Sequence, residues 1–430
     1  MENPEVLTGD MLAGDVLTAD VLSGDAFQRD TASTPSAKST WRDRALARAL
    51  RSALQGKVDG RLDVTLPSGL TVAIGHDAVP PARVTLNAYT AIWRLATRGS
   101  IGLAESYMRA EIDTPDLGDV LRFCVKNYAH LEQAGGGAIK PGVTDILFHR
   151  RRGNTRKGSR RNIAAHYDLG NDFYALWLDA GMTYSSGIFR TRDAMLAAAQ
   201  DEKYRVVLDQ LNLRPGARVL EIGCGWGGFA ERAIARGAHV TGLTLSSEQL
   251  AYARARLERA GGGADGDIRF QDYRDTHGTF DAVASIEMIE AVGEAHWPQY
   301  FAKISECLKP GGCAAIQAIT IDERYFESYR RHTDFIQRYI FPGGMLPTVT
   351  RMREEAGRAG LTFETVERFG PSYAMTLAAW RQNFRARWPE ISALGFDERF
   401  RRMWEYYLIY CEAGFENGDV DVGIYKLTKL

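Results

Sequence analysis

Residues 219–228 read VLEIGCGWGG, in which Gly223, Gly225 and Gly228 satisfy the pattern G-x-G-x-x-G. Glycines at this spacing let a strand turn tightly into a helix, and they bring backbone N–H groups close to a ligand. Taken alone the pattern is generic, because dinucleotide sites use it too. A nicotinamide site also wants a carboxylate about 20 residues on, at the end of the second strand, for the ribose hydroxyls. Residues 242–246 are Gly-Leu-Thr-Leu-Ser and hold none. The carboxylate is Glu221 instead, two residues before the first glycine. A buried acid at that place needs a partner, and the α-ammonium of a cationic cofactor would supply one. A plain strand-to-helix turn around a satisfied glutamate is the alternative.

Such a turn works only if strands and helices hold it. From about His166 onward the chain alternates between them. RVLEIG (218–223) reads as a short buried strand, followed by a helix carrying Phe229, Ala230 and Ile234. HVTGLTLS (239–246) is a second strand, and EQLAYARARLERA a helix with Leu250, Ala253 and Leu257 on one face. IRFQDYRD, FDAVASIEM and GGCAAIQAITI continue the series. This alternation predicts a parallel α/β sheet with helices on both faces, and ligands at the carboxyl ends of its strands. Residues 166–430 form this domain.

Upstream, WRDRALARALRSAL has helical spacing, and RLDVTLPSGLTVAIG alternates around Pro67-Ser68-Gly69 as a β-hairpin. A helical stretch with Leu86, Tyr89, Ile92, Trp93 and Leu95 follows, then GSIGLAESYM and a second helix to about Gln133. Residues 39–134 are therefore expected to be a small α+β domain. Residues 135–165 read as a basic linker, because HRRRGNTRKGSRR (149–161) has seven Lys/Arg and no acid. A solvated linker and a contact with anionic phospholipid, at up to about 1 kcal/mol per basic residue, are both open for it. Residues 7–26 hold four copies of a five-residue unit, too few for a solenoid core, and 1–38 read as a disordered tail.

With 430 residues the chain has room for two or three domains. Its 45% apolar and 25% charged content is that of a soluble globular protein. A formal net charge of −1 gives no global electrostatic case for a nucleic-acid partner. The five cysteines are scattered, with no CxxC and no metal-ligand spacing, which points to a reduced compartment and no metal. No apolar run approaches the ~18 residues of a membrane span. The acidic start MENPEVLTGD is unlike a signal peptide. Any work on lipid would then be done from the membrane surface.

The E-x-G-x-G at 221–225 resembles the first motif of class I S-adenosylmethionine methyltransferases. HYDLGNDFYALWLDAGMTYSSGIF (166–189), VLEIGCGWGGFA, GLTLSSEQ, SIEMIEAVG (285–293), IDERY (321–325), YIFPGGMLPT (339–348) and FGPSYAMTLAAW (369–380) occur in order. Together they resemble the cyclopropane-fatty-acyl-phospholipid synthase family from about His166 to the end. The resemblance reaches more weakly into the N-terminal domain, where GSIGLAESYM is similar to that family's lipid-facing domain. It implies a Rossmann-like class I methyltransferase sheet flanked by helices, preceded by a small α+β lipid-facing domain. It also implies methyl(ene) transfer from S-adenosyl-L-methionine to the double bond of an unsaturated acyl chain in membrane phospholipid. Ring closure would pass through a carbocation, with a bound bicarbonate ion as base. Such an enzyme would be cytoplasmic, held peripherally on the inner face of the cytoplasmic membrane, with a homodimer left open.

Carried over residue by residue, the bicarbonate cluster would be Glu290, Tyr373 and the backbone at Ile319. Ser186 stands where the family usually has Cys, and Gln317 where it commonly has His. Plant-type members resemble this chain in having Gln there, and both side chains can still donate hydrogen bonds to an oxyanion. Cys411 matches a cysteine proposed as the family's active-site thiol, although methyl transfer to an alkene needs no covalent thiol. Tyr184 and Ser185 would reach the methionine end of the cofactor, with Glu221 and the backbones of Gly223 and Gly225 alongside. Thr244, Leu245 and Gln249 would lie near the ribose, and Tyr273 and Ile286 would flank the adenine. For Leu245 and Ile286 simple core packing is the lesser alternative. Trp404, Tyr406, Tyr407 and Tyr410 either line an acyl tunnel or pack the last helix. Two other outcomes stay open: methylation that stops at a methylated alkene, and a lipid-binding protein on an inactive scaffold, against which the intact Glu221, Gly223 and Gly225 argue.

Overall fold

The computed structural model describes residues 40–76, 80–128, 130–131, 155, 158 and 169–430. The repeat tail, Arg150, Arg151 and Arg152 of the basic run, and the start of the segment at His166 lie outside the described residues.

Helix α1 (Trp41–Leu54) opens on a capping box in which Thr40 and Asp43 satisfy each other's backbone N–H groups. The expected hairpin forms from β1 (Arg61–Thr65) and β2 (Thr71–Gly75), paired antiparallel. The sequence reading placed Leu86 in the following helix. Instead it ends a third strand, β3 (Ala82–Leu86), which buries Ala82, Val84 and Leu86 and pairs parallel to β1. Five residues are too few for periodicity alone to separate strand from helix. Helix α2 (Thr90–Met108) follows, kinked at Gly99, where a φ of 53° suits only glycine without strain. Strand β4 (Ile112–Asp113) closes a four-stranded sheet, and α3 (Leu117–Lys126) starts at the Asp116 cap.

The larger part begins with α4 (Asn171–Ala175) and α5 (Leu196–Gln210). It continues with β5 (Arg218–Ile222), α6 (Gly228–Ala235), β6 (His239–Thr244), α7 (Ser247–Arg259), β7 (Gly266–Phe270) and β8 (Phe280–Ile286). Then come α8 (Trp297–Cys307), β9 (Leu308–Ile321), α9 (Glu323–Tyr329), α10 (Val349–Arg358) and β10 (Leu361–Arg368). The chain finishes with α11 (Gly370–Ala386), α12 (Trp388–Ala393), α13 (Glu398–Asn417) and β11 (Val420–Lys429). The seven strands lie in the order β10-β11-β9-β8-β5-β6-β7. This is the Rossmann-like sheet, with one departure from an all-parallel reading. Strand β11 inserts between β9 and β10 and runs antiparallel to both.

An aromatic core joins the two parts. Phe173, Tyr174 and Trp177 pack with Tyr184, Trp380 and Trp404, the Phe173 and Trp404 rings standing 5.1 Å apart. Tyr406 sits 6.1 Å from Tyr107 and 4.7 Å from Phe335. Trp404, Tyr406 and Tyr407 are thus buried packing of α13, while Tyr410 reaches Asp334 at 3.3 Å. The segment GSIGLAESYM lies in this joint, with Ile101, Ala104, Tyr107 and Met108 buried. Arg402 of α13 donates to the carbonyls of Tyr107 (2.6 Å) and Ile112 (2.8 Å) and pairs with the Asp113 carboxylate, so its charge is not left unpaired. No helix among the described residues is long and apolar enough to cross a membrane.

Candidate active site

At the carboxyl ends of β5, β6 and β8 the strands leave an open cleft. The turn after β5 forms one wall. Gly223, Gly225 and Gly227 have φ values of 83°, 51° and 83°. At Gly223 a Cβ would also lie 2.9 Å from Cγ of Met288, so the turn can take this path only without a side chain. Glu221 faces the cleft from β5 and is 3% exposed. Its Oε2 is buried without a hydrogen-bond partner among the described residues. Burial pushes its carboxyl well above the usual range, and Lys203 and Arg256 draw it only partly back.

The other residues expected to hold a cofactor line the same cleft. Thr244, Leu245 and Gln249 stand at the end of β6, where the Thr244 hydroxyl and the Gln249 side chain are 2.9 Å apart. Ser246 caps α7 by accepting from the Gln249 N–H, which fixes the entry angle of that helix. Tyr273 follows β7 with its hydroxyl buried and unpartnered. Ile286 ends β8. Tyr184 packs between Trp177 and Trp380, and its hydroxyl is 2.8 Å from that of Tyr407. Ser185 accepts a 2.6 Å hydrogen bond from Lys203 Nζ.

Lys203 itself was not legible in the sequence. It is fully buried on α5, over the ring of Tyr204 at 4.1 Å. Desolvation lowers its ammonium to about 7, against the pull of Glu287, Asp179 and Glu221.

A second polar cluster opens on the cleft from the β8 side, and its centre is also a residue the sequence reading passed over. Glu287 follows β8 with a φ of 49°, held there as its N–H donates to the Gln317 carbonyl at 2.8 Å. Its Oε1 accepts from the Ser186 N–H (2.8 Å) and from Gln317 Nε2 (2.7 Å). Its Oε2 accepts from the Tyr373 hydroxyl (2.7 Å). The Tyr373 hydroxyl, which the resemblance assigned with Glu290 to a bicarbonate, is thus directed at Glu287. The Ser186 hydroxyl turns away to the Gly187 carbonyl, leaving only its backbone N–H as a donor to the cluster. Glu290 Oε1 accepts from the Ile319 N–H at 2.5 Å, while Glu290 Oε2 and Gln317 Oε1 are buried without partners. Cys411 lies on α13 near Asp334, and burial pushes its thiol up, away from a reactive thiolate.

Burial, and then the charge of Glu287, raise the Glu290 carboxyl to about 8, so it is neutral at pH 7. An acid raised in the fold contributes stability that is full below its ordinary value of 4.5 and is lost as pH rises to about 8. Glu290→Gln keeps the neutral state at every pH. Its melting temperature is expected to exceed that of the parent by a margin that widens from pH 5 to pH 8. An equal margin at both pH values would show that the carboxyl is not raised.

Residues 154–424 match the family described as mycolic acid cyclopropane synthetase. Tuberculostearic acid methyltransferase UfaA1 of Mycobacterium tuberculosis is 43% identical over 344 residues, 78% of this chain and 80% of that protein. The cyclopropane-fatty-acyl-phospholipid synthase of Escherichia coli is 35% identical over 376 residues, 84% and 91% of the two chains. The crystal structure of mycolic acid cyclopropane synthase CmaA1 complexed with SAH and CTAB superposes with a TM-score of 0.60 at 30% identity, covering 63% of this chain and 98% of that one.

Proposed function

The chain belongs to the mycolic acid cyclopropane synthetase family, and from that membership we propose that it methylates the double bond of an unsaturated acyl chain in a membrane phospholipid and closes it to a cyclopropane. The coarser activity, S-adenosylmethionine-dependent methyl transfer, is that of its relatives. The observation that carries the reading is Glu287, which lines the same cleft as the glycine turn and Glu221 and is held by Ser186, Gln317 and Tyr373. A donor site for a cationic methyl carrier and a proton-accepting site thus share one cleft.

S-adenosylmethionine fits the residues present. The unpartnered, buried Glu221 Oε2 is the complement of an α-ammonium, and the glycine turn leaves space where a Cβ would fill it. When bound, that cofactor supplies an electrophilic methyl group on sulfur. Glu221 would hold the ammonium, Tyr184 and Ser185 the methionine end, Thr244 and Gln249 the ribose, and Tyr273 and Ile286 the adenine. The aromatic wall of Tyr184, Tyr174 and Trp226 keeps water out, and its π faces can steady a cation on the acyl chain by ~2 kcal/mol. The basic run at 149–161 supports a phospholipid surface as the place where the acyl chain is met.

Bicarbonate, the base implied by the resemblance, does not fit in the same way. The donors assigned to it are already taken: Gln317 and Tyr373 by Glu287, the Ile319 N–H by Glu290, and the Ser186 hydroxyl by the Gly187 carbonyl.

A second reading, methylation that leaves an alkene, is favoured by the 43% identity to a protein named as a methyltransferase. Ring and methyl-alkene are isomers of equal mass, so catalytic hydrogenation of the product separates them. The cyclopropane reading expects a product that resists reduction. A fully reducible product would replace it with the second reading.

A further inference from the structure

Resting on the methyl-transfer reading above, we propose that the Glu287 carboxylate is the base of the reaction, built into the chain where an external anion would otherwise bind. Three donors from three separate parts of the chain converge on it: the Ser186 N–H, Gln317 Nε2 and the Tyr373 hydroxyl. These are the groups that would surround a bound oxyanion, and they surround a side chain instead. Its position is bought with a positive φ of 49° on a non-glycine residue, a conformation that ordinarily costs energy and that here turns the carboxylate into the cluster. The unpartnered polar atoms left beside it are Gln317 Oε1 and Glu290 Oε2. A bicarbonate would find its donors occupied and a like charge in its place.

The two oxygens are not equivalent. Oε1 has both acceptor positions filled, by Ser186 and Gln317, whereas among the described residues Oε2 accepts only from Tyr373. Oε2 is therefore the atom that takes the proton. The alkene π pair forms the new bond to the transferred methyl carbon, and the carbon–sulfur pair stays with sulfur. The resulting carbocation on the acyl chain loses a proton from the new methyl to Oε2, and the released C–H pair closes the ring. For a methylated alkene the same oxygen takes the proton from a neighbouring chain carbon. Glu287 returns to carboxylate when its proton passes to water after the product leaves. Glu290, neutral and anchored by Ile319 N–H, adds no second charge to the site.

The test compares the parent, Glu287→Gly and Glu287→Gln in carbon-dioxide-purged buffer with and without bicarbonate or formate. Glycine accepts the positive φ, so Glu287→Gly vacates the donors without straining the turn. The parent rate is expected to be indifferent to bicarbonate. Glu287→Gly should fall by about a hundredfold or more and recover at least about tenfold with either anion. Glu287→Gln, whose amide still fills the space, should be inactive and stay so. Cofactor binding by calorimetry reports an intact cleft in each variant. A further arm needs no lipid: line broadening of 13C-bicarbonate is expected with Glu287→Gly and not with the parent. A parent stimulated by bicarbonate, a Glu287→Gly that turns over unaided, or bicarbonate binding to the parent would overturn the proposal. Bicarbonate binding as expected, with no methyl transfer by the parent in any buffer, would place the fault in the functional reading instead.

Discussion

Glu221→Gln is expected to weaken S-adenosylmethionine binding by about a hundredfold or more, read by calorimetry. Truncating one partner of a buried, hydrogen-bonded charge pair costs roughly 2–5 kcal/mol, and about 1.4 kcal/mol is tenfold in affinity. Glutamine keeps the shape of Glu221 but turns an N–H toward the ligand's ammonium and removes its counter-charge. The free protein should respond in the opposite sense. Its Glu221 is 3% exposed and holds an oxygen without a partner, with Lys203 and Arg256 compensating only partly. The variant should therefore melt higher than the parent in the absence of ligand and gain less when ligand is added. Unchanged affinity would remove Glu221 from the cofactor site and return it to the plain-turn reading.

Lys203→Met is expected to have the second large effect, on stability and on pH dependence together. Lys203 is a buried cation near Glu287, Asp179 and Glu221, and Arg232 faces it as a like charge. Removing one partner from such a buried set costs roughly 3–5 kcal/mol. Burial lowers the Lys203 ammonium to about 7, so the parent carries the cost of a buried cation below that pH and sheds it as pH rises. The loss should therefore be smaller in urea melts at pH 6 than at pH 8. Glu287 is already raised by burial and is drawn down by Ser186, Tyr373, Lys203 and Gln317. Without Lys203 it should rise further, and the acidic limb of the pH–rate profile should move to higher pH. A limb that stays in place, with stability lost, would show that Lys203 only packs α5 against the loop at Ser185.

The cofactor side of the site was legible because its parts are local. Glu221, Gly223 and Gly225 belong to one strand-to-helix turn, and Thr244, Leu245 and Gln249 to another. In an α/β sheet such strand ends must meet on one edge. The cleft lined by these residues follows from the alternation of strands and helices alone. The short strand ending at Leu86 was missed for the converse reason. Its identity comes from pairing with β1, a partner some 20 residues away.

The catalytic side was named residue by residue without its centre. Glu290 meets the Ile319 N–H, but the hydrogen bonds of Ser186, Gln317 and Tyr373 run to Glu287, a residue in plain view within SIEMIEAVG. Its position just beyond β8 was the available signal. What hid its role is that the donors stand 30, 86 and 101 positions away along the chain.

By itself, then, the sequence determined the parallel sheet, the strand-end turns and the place of Glu221 beside the first of them, since periodicity, glycine spacing and residue type act over a few residues. Tertiary structure alone decided which buried groups share a hydrogen bond and which keep a charge. Lys203 beside Ser185, Tyr373 on Glu287 and Ile319 on Glu290 depend on desolvation and on directions in space, and neither is written in the order of residues.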